Sequence, residues 1–289
     1  MSEQSPPPQL PPPRSWIFGP AGRTDYVAKF AACGADAGIL DLEDATPEHE
    51  KANHRATLVN SADGLGVEGL RLFIRTNSPG TVHFEADVEA AALVGVDGIV
   101  VPMLTSANEV QYLREVMGRS GLGAATLVGG IETAAAVLDA REICGAGLDF
   151  VYFGAEDFIA DLGGVRSASN HECAVARSMV VMAAASARIG AIDQVVTEID
   201  DSARFAREAT EARNMGFSGK LCIHPSQVPV ANAAFDPTEA ELSWAQGVLE
   251  AASDAAQEGR GAVKYQGQMI DAPAVSRARQ LLARFGGRK

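Results

Sequence analysis

Eight short, almost uninterrupted apolar runs punctuate this chain, and between them lie stretches with the three- and four-residue spacing of amphipathic helices. The runs cover residues 15–18, 37–42, 70–74, 98–102, 125–131, 150–154, 191–196 and 221–223. Runs without polar alternation suit strands covered on both faces, the condition of a parallel sheet. Each parallel return needs a crossover, and helical patterns supply it over 24–33, 48–60, 84–94, 171–189, 200–214 and 238–256. A further helix follows the fourth run, with Ser106 or Asn108 as its cap. An open doubly wound sheet would give similar strings, but no GxGxxG fingerprint follows the first run. The expected fold is therefore α/β, a (β/α)8 TIM barrel, whose chemistry sits where strands hand over to the loops that follow them.

The 289 residues fit one such barrel with pieces to spare at both ends. Six prolines among the first thirteen residues predict an extended, disordered tail over 1–13. The catalytic barrel is expected over 14–258. From Gly259 the composition changes to a glycine-punctuated segment, 259–289, ending in a helix near 273–285. A barrel closed by its eighth unit does not need this segment, which reads as a lid or as an arm onto a neighbouring subunit. A net charge of −13 argues against nucleic acid as the main partner, because neutralising phosphates takes a basic surface. The four cysteines are scattered, without a CxxC pair, as free thiols in a reducing compartment would be. No secretory leader pattern opens the chain and no apolar stretch approaches a membrane span, so a cytoplasmic location is expected.

Charged residues recur at the ends of the runs. Asp41, Glu43 and Asp44 crowd the second, Arg75 ends the third, Glu132 follows the fifth, and Asp157 follows the sixth. Carboxylates near a core need a cation or several hydrogen-bond donors. Singly, Glu132 and Asp157 are equally well read as caps of the helices that follow. As a pair at matched strand ends they suit a hard divalent ion, and the lack of clustered His or Cys favours Mg²⁺ or Mn²⁺ over zinc. Arg75 is read either as an ion-pair brace for Glu43 or as a donor to a carbonyl or carboxylate. Arg23 in the first loop is an anion ligand or a surface group. His224, and likewise Glu156, Asp161 and Asp193, read as caps and supporting hydrogen-bonders.

Several strings in order resemble the citrate lyase beta-subunit-like branch of the HpcH/HpaI aldolase superfamily. They are Arg14-Ser15-Trp16-Ile17-Phe18, Asp41-Leu42-Glu43-Asp44-Ala45, Arg75-Thr76-Asn77, Gly130-Ile131-Glu132-Thr133-Ala134, Gly154-Ala155-Glu156-Asp157, Cys222-Ile223-His224-Pro225 and Gly267-Gln268-Met269-Ile270-Asp271. Members of that branch cleave or form carbon–carbon bonds beside a thioester, as citryl-CoA, malyl-CoA and citramalyl-CoA lyases do. The resemblance implies Mg²⁺ held by Glu132 and Asp157, with Glu132, Arg75 and Arg23 binding a CoA thioester or its α-keto acid product. It implies that Arg75 stabilises an enolate, that Glu43 and Asp44 order Arg75 and metal-bound waters, and that Asp271 reaches a neighbour's site as acid or base. A homotrimer or dimer of trimers is the assembly it implies. Met103 stands where many relatives carry lysine, a departure that bears on the substrate. Two other activities fit the same residues: a pyruvate-type class II aldolase working without CoA, and a citrate lyase beta subunit dependent on an acyl-carrier partner.

Overall fold

The structure, a computed structural model, describes residues 12–257, 259 and 261–285. The expectation of a disordered tail therefore falls, over 1–11, outside the described residues. Eight strands, β1 (Ser15–Pro20), β2 (Ala37–Asp41), β3 (Arg71–Arg75), β4 (Gly98–Val101), β5 (Thr126–Ile131), β6 (Phe150–Phe153), β7 (Gly190–Asp193) and β8 (Gly219–Cys222), close in sequence order into a barrel. Every pair is parallel, and β8 returns to β1 through Ser15↔Lys220 and Trp16↔Leu221. The helices are α1 (Tyr26–Ala32), α2 (Lys51–Asn60), α3 (Phe84–Val94), α4 (Ala107–Arg119), α5 (Ala134–Leu138), α6 (Ala140–Gly145), α7 (Ala155–Leu162), α8 (Ala174–Ala187), α9 (Ser202–Met215) and α10 (Gln227–Phe235). This is the expected (β/α)8 barrel. Ser106 caps α4, its hydroxyl accepting from Glu109 N at 3.3 Å.

The alternation of each strand sorts its residues between two cores. Trp16, Ile39, Phe73, Val100, Val128, Tyr152, Ile192 and Leu221 fill the interior, one from each strand. Their neighbours in sequence, such as Ile17, Leu40, Ile74, Ile99 and Leu127, pack outward under the helices. Trp16 stacks against Phe73 at 4.8 Å between ring centroids, and its indole donates to Pro13 O at 3.1 Å, so Pro13 belongs to the packed barrel.

β7 stops at Asp193 and β8 begins at Gly219, offset from the apolar runs at 191–196 and 221–223. Buried polar residues interrupt the pattern there. Lys220 and Asp193 face outward, form a 2.6 Å ion pair with both side chains fully buried, and are joined by Arg177 of α8 at 2.9 Å from Asp193. Lys220 also lies 4.0 Å from Glu208 of α9, itself paired with Arg204.

A second compact unit includes the described residues from Asp236 onward. It contains α11 (Glu239–Gln257), a two-stranded antiparallel hairpin of β9 (Val263–Tyr265) and β10 (Gln268–Ile270), and α12 (Ala272–Phe285). Ala245, Val248, Ile270 and Ala278 form its core. The division after Phe235 precedes the composition change at Gly259, because α11 packs with the hairpin and α12. Among the described residues no helix is long and apolar enough to cross a membrane.

Candidate active site at the barrel mouth

The same two-residue period that fills the barrel floor places charge above it. Two positions beyond Ile39 and Phe73, on the same inward face, stand Asp41 and Arg75. These two are also direct register partners across β2 and β3. Arg75 Nε and Nη2 donate to the two oxygens of Asp41 at 2.7 and 2.6 Å, a fork matched to a carboxylate. Asp41 additionally accepts from Glu43 N at 2.9 Å and Ala45 N at 3.0 Å, so it ties the loop after β2 to the guanidinium. Glu43 pairs with Arg75 Nη1 at 2.8 Å, and Asp44 stands 3.7 Å from Nη2. Phe18 lies under the guanidinium at 5.0 Å. Of the five guanidinium N–H groups, two go to Asp41 and one faces Glu43, which leaves one on Nη1 and one on the Nη2 that Asp44 approaches to 3.7 Å.

Glu132 stands one step above Gly130 on the inward face and is 3% exposed. Its Oε2 accepts from Met103 N at 2.5 Å. Met103 adopts φ 56°, a left-handed conformation that a non-glycine residue holds at a cost of about 1 kcal/mol or more. That strain aims a backbone donor at the carboxylate. Glu132 and Tyr152 occupy the space of two missing side chains on neighbouring strands. A Cβ on Gly154 would run into the Glu132 carboxyl, and one on Gly130 would come within 2.6 Å of the Tyr152 hydroxyl. Burial pushes the Glu132 carboxyl up to about 7 against the opposing pull of the Met103 N–H and the nearby Tyr152 hydroxyl, with Asp157 adding to the rise. Burial likewise pushes Glu43 up to about 7, offset in part by Arg75, and raises the Tyr152 phenol well above its usual range.

Asp157 does not end β6 as its string suggests. The strand stops at Phe153, Gly154 turns the chain, and Asp157 lies in the first turn of α7 with its side chain reaching solvent. It still belongs to this mouth, since burial and then Asp44 raise its carboxyl while Arg75 lowers it. Asp41, Glu43, Asp44, Glu132 and Asp157 thus converge on Arg75. Neither Glu132 nor Asp157 has an ion-pair partner among the described residues. An all-oxygen donor set with surplus negative charge fits a hard divalent cation. Two carboxylates suit Mg²⁺, which keeps waters and shares its ligands with a substrate.

Other sequence candidates stand apart from this cluster. Arg23 is exposed and spent on Asp25, at 2.8 and 3.0 Å, beside the Tyr26 ring. His224 Nδ1 engages Ser226 at 2.8 Å. Glu156 pairs with Arg166, and Asp161 accepts from Ala134 N at 2.8 Å. Asp271, in the second unit, accepts from Ala274 N at 3.2 Å and so caps α12. Sequence reading missed Lys51, whose buried ammonium donates to Leu42 O, Glu43 O and Asn77 Oδ1 at 2.9, 3.0 and 2.7 Å. Asn77 in turn donates to Asp87, which Arg55 neutralises. This network props the acidic loop from behind. Nothing in a polar helix start such as Glu48-His49-Glu50-Lys51 signals it. Tyr152 was missed as well, although its inward parity with Gly154 is readable.

The model of the HpcH/HpaI aldolase/citrate lyase family matches residues 14–225. The chain belongs to that family. A citrate lyase subunit beta-like protein of Deinococcus radiodurans is 39% identical over 93% of this chain and 96% of its own length. The mitochondrial citramalyl-CoA lyase of Rattus norvegicus is 28% identical over 94% of this chain and 85% of its own. Among solved structures, the CitE protein of Mycobacterium tuberculosis in complex with magnesium, acetoacetate and coenzyme A superposes with a TM-score of 0.78 and 34% identity. That match covers 96% of this chain and 98% of the other. Family membership makes the chain an enzyme of the lyase class, and the matched span includes every strand of the barrel.

Proposed function

We propose that the barrel mouth cleaves, or forms, a β-hydroxyacyl-CoA such as malyl-CoA, citramalyl-CoA or citryl-CoA, giving an acyl-CoA and an α-keto acid. The observation that carries this reading is the buried Glu132 without a cation partner, beside Asp157 and across from an arginine with donors to spare. The magnesium, acetoacetate and coenzyme A in the Mycobacterium tuberculosis structure support the same chemistry.

Glu132 and Asp157 would hold Mg²⁺, with Mn²⁺ as a substitute. The ion would supply Lewis acidity and a template for the keto-acid half. In cleavage the β-hydroxyl gives its proton to the proposed base Asp271, its oxygen becomes the keto carbonyl, and the carbon–carbon electron pair passes to the thioester as an enolate. The two remaining N–H groups of Arg75 are set for that enolate oxygen, held in place before charge develops by Asp41, Glu43 and Phe18. Asp44 faces the open side of Arg75, where it can order water. The enolate then takes a proton at carbon. Asp271, presented by a neighbouring subunit's 259–289 segment in a trimer or dimer of trimers, is the proposed acid or base.

The test is a panel of CoA thioesters and α-keto acids incubated with Mg²⁺ and read by mass spectrometry. Turnover of a β-hydroxyacyl-CoA that stops in chelator supports the proposal. Cleavage only of free hydroxy-keto acids would favour the aldolase, and inactivity until an acyl-carrier protein is added would favour the citrate lyase subunit.

A further inference from the structure

Tyr152 is the floor of the site, and its hydroxyl is the polar atom that the mouth leaves unexplained. The residue is 2% exposed and packs with the interior cluster of apolar side chains. Its hydroxyl has no hydrogen-bond partner among the described residues. A buried hydroxyl left so costs about 1–3 kcal/mol, whereas phenylalanine would fill the same space without that loss. The barrel also gives up a side chain to admit it. Gly130 is the register partner of Tyr152, and a Cβ there would meet the phenol carbon and oxygen at 2.6 Å. The phenol end therefore lies across β5 at the level of Gly130, directly beneath Glu132 on the same inward face. The two groups are near enough that the phenol lowers the Glu132 carboxyl and the carboxyl raises the phenol, as donor and acceptor do, although the hydroxyl does not meet the geometry of a completed hydrogen bond.

Glu132 is held on its other side by the strained Met103 backbone, whose N–H engages Oε2. Gly154 leaves room for the carboxyl to settle. We infer that Tyr152 is a positioning residue, whose hydroxyl donates to the Glu132 carboxylate from below when that carboxylate binds a divalent cation. Met103 N–H and Tyr152 O–H then clamp the carboxyl plane from two sides, leaving the remaining lone pairs directed out of the barrel. Donors of this kind to a metal-binding carboxylate are worth about 10–100-fold in metal affinity. The inference rests on the metal-binding role proposed for Glu132.

The experiment measures Mn²⁺ dissociation constants by the EPR signal of the free ion, without turnover, for wild type, Tyr152→Phe, Glu132→Gln and the double variant. Tyr152→Phe should bind Mn²⁺ at least tenfold more weakly, while its metal-free melting temperature stays level or rises. In the Glu132→Gln background the same change should weaken binding no further, since the donor has lost its charged acceptor. Gly130→Ala, which displaces the phenol while keeping it, should weaken binding in the same direction and decides the matter if Tyr152→Phe is insoluble. Wild-type Mn²⁺ affinity in Tyr152→Phe, with binding still lost in Glu132→Gln, would overturn this inference alone. No Mn²⁺ binding by the wild type would overturn the metal site and this inference with it.

Discussion

Replacing Glu132 with glutamine should make the metal-free protein more stable at alkaline pH while removing its response to Mg²⁺. In the folded, metal-free protein burial holds this carboxyl at about 7, against an ordinary value of 4.5. A group raised in the folded state stabilises it fully below the unfolded value and loses that contribution as pH rises through the folded one. Between pH 4.5 and 7 the folded chain therefore holds a proton that the unfolded chain has released, and stability falls across that window. At about 1.4 kcal/mol for each tenfold change in proton affinity, ionising Glu132 costs the folded state on the order of 3 kcal/mol by pH 8. Glutamine cannot ionise, and its amide oxygen can still accept from Met103 N. The variant should thus lack this part of the decline and melt roughly 6 °C above wild type at pH 8, the two converging near pH 4.5. Glu43 is also raised, but it is common to both proteins and cancels in the difference. Saturating Mg²⁺ should reverse the order by stabilising wild type only. Thermal melts from pH 5 to 8 with chelator or Mg²⁺ make the comparison. Parallel pH profiles, or equal Mg²⁺ shifts, would refute the account of Glu132 as a desolvated carboxylate awaiting a cation.

Arg75→Lys keeps the charge but not the planar fork, so kcat should fall by about 10² or more while Mg²⁺ affinity barely moves; near-normal kcat with a collapsed melting temperature would leave Arg75 as a brace only. Lys51→Met strips donors from Leu42 O, Glu43 O and Asn77 and should destabilise by about 2–3 kcal/mol in urea titrations, with kcat falling as the acidic loop loosens. Lys220→Met leaves Asp193 with one cation fewer in a fully buried setting and should cost about 3–5 kcal/mol, with Mg²⁺ affinity unchanged in whatever folds. Asp271→Asn and Arg75→Ala should each be nearly inactive, yet mixed oligomers of the two should regain activity; mixtures as dead as their parents would place Asp271 outside a neighbour's site.

The barrel was readable because each strand is buried on both faces, which leaves apolar runs that survive in one dimension. The ends of those runs then led to the site, and the structure shows why for three of them: Asp41, Arg75 and Glu132 stand an even number of residues beyond the interior positions Ile39, Phe73 and Val128, on the inward face. Where a tertiary contact replaces parity, the signal fails. Asp157 looks like a strand end only because Gly154 gives no sign of how early the chain turns. α10 escaped because Pro229 sits in its first turn, where proline is tolerated but reads as a breaker. Lys220 truncated the apparent eighth run because a buried lysine is uncommon without a partner, and its partner Asp193 lies 27 residues away. Arg23 reads as an anion ligand until Asp25, two residues on, is seen to occupy its guanidinium.

Two charge clusters in the barrel show opposite design. Behind β7 and β8, Asp193 and Glu208 meet Lys220, Arg177 and Arg204, so every carboxylate has a cation within ion-pair distance. That balance is what a structural brace needs, because an unpaired buried charge there would cost several kcal/mol without return. At the mouth, by contrast, Asp41, Glu43 and Asp44 share the guanidinium of Arg75, while Glu132, only 3% exposed, and Asp157 have no ion pair among the described residues. The chain holds that imbalance with rigid means: a strained Met103 backbone, the Asp41 tether, and the Lys51–Asn77–Asp87 prop. Rigidity around uncompensated charge keeps the carboxylates from relaxing toward one another or toward solvent. On the proposed reading, that rigidity would preserve affinity for a divalent cation at Glu132 and Asp157, across from the Arg75 donors assigned to the enolate.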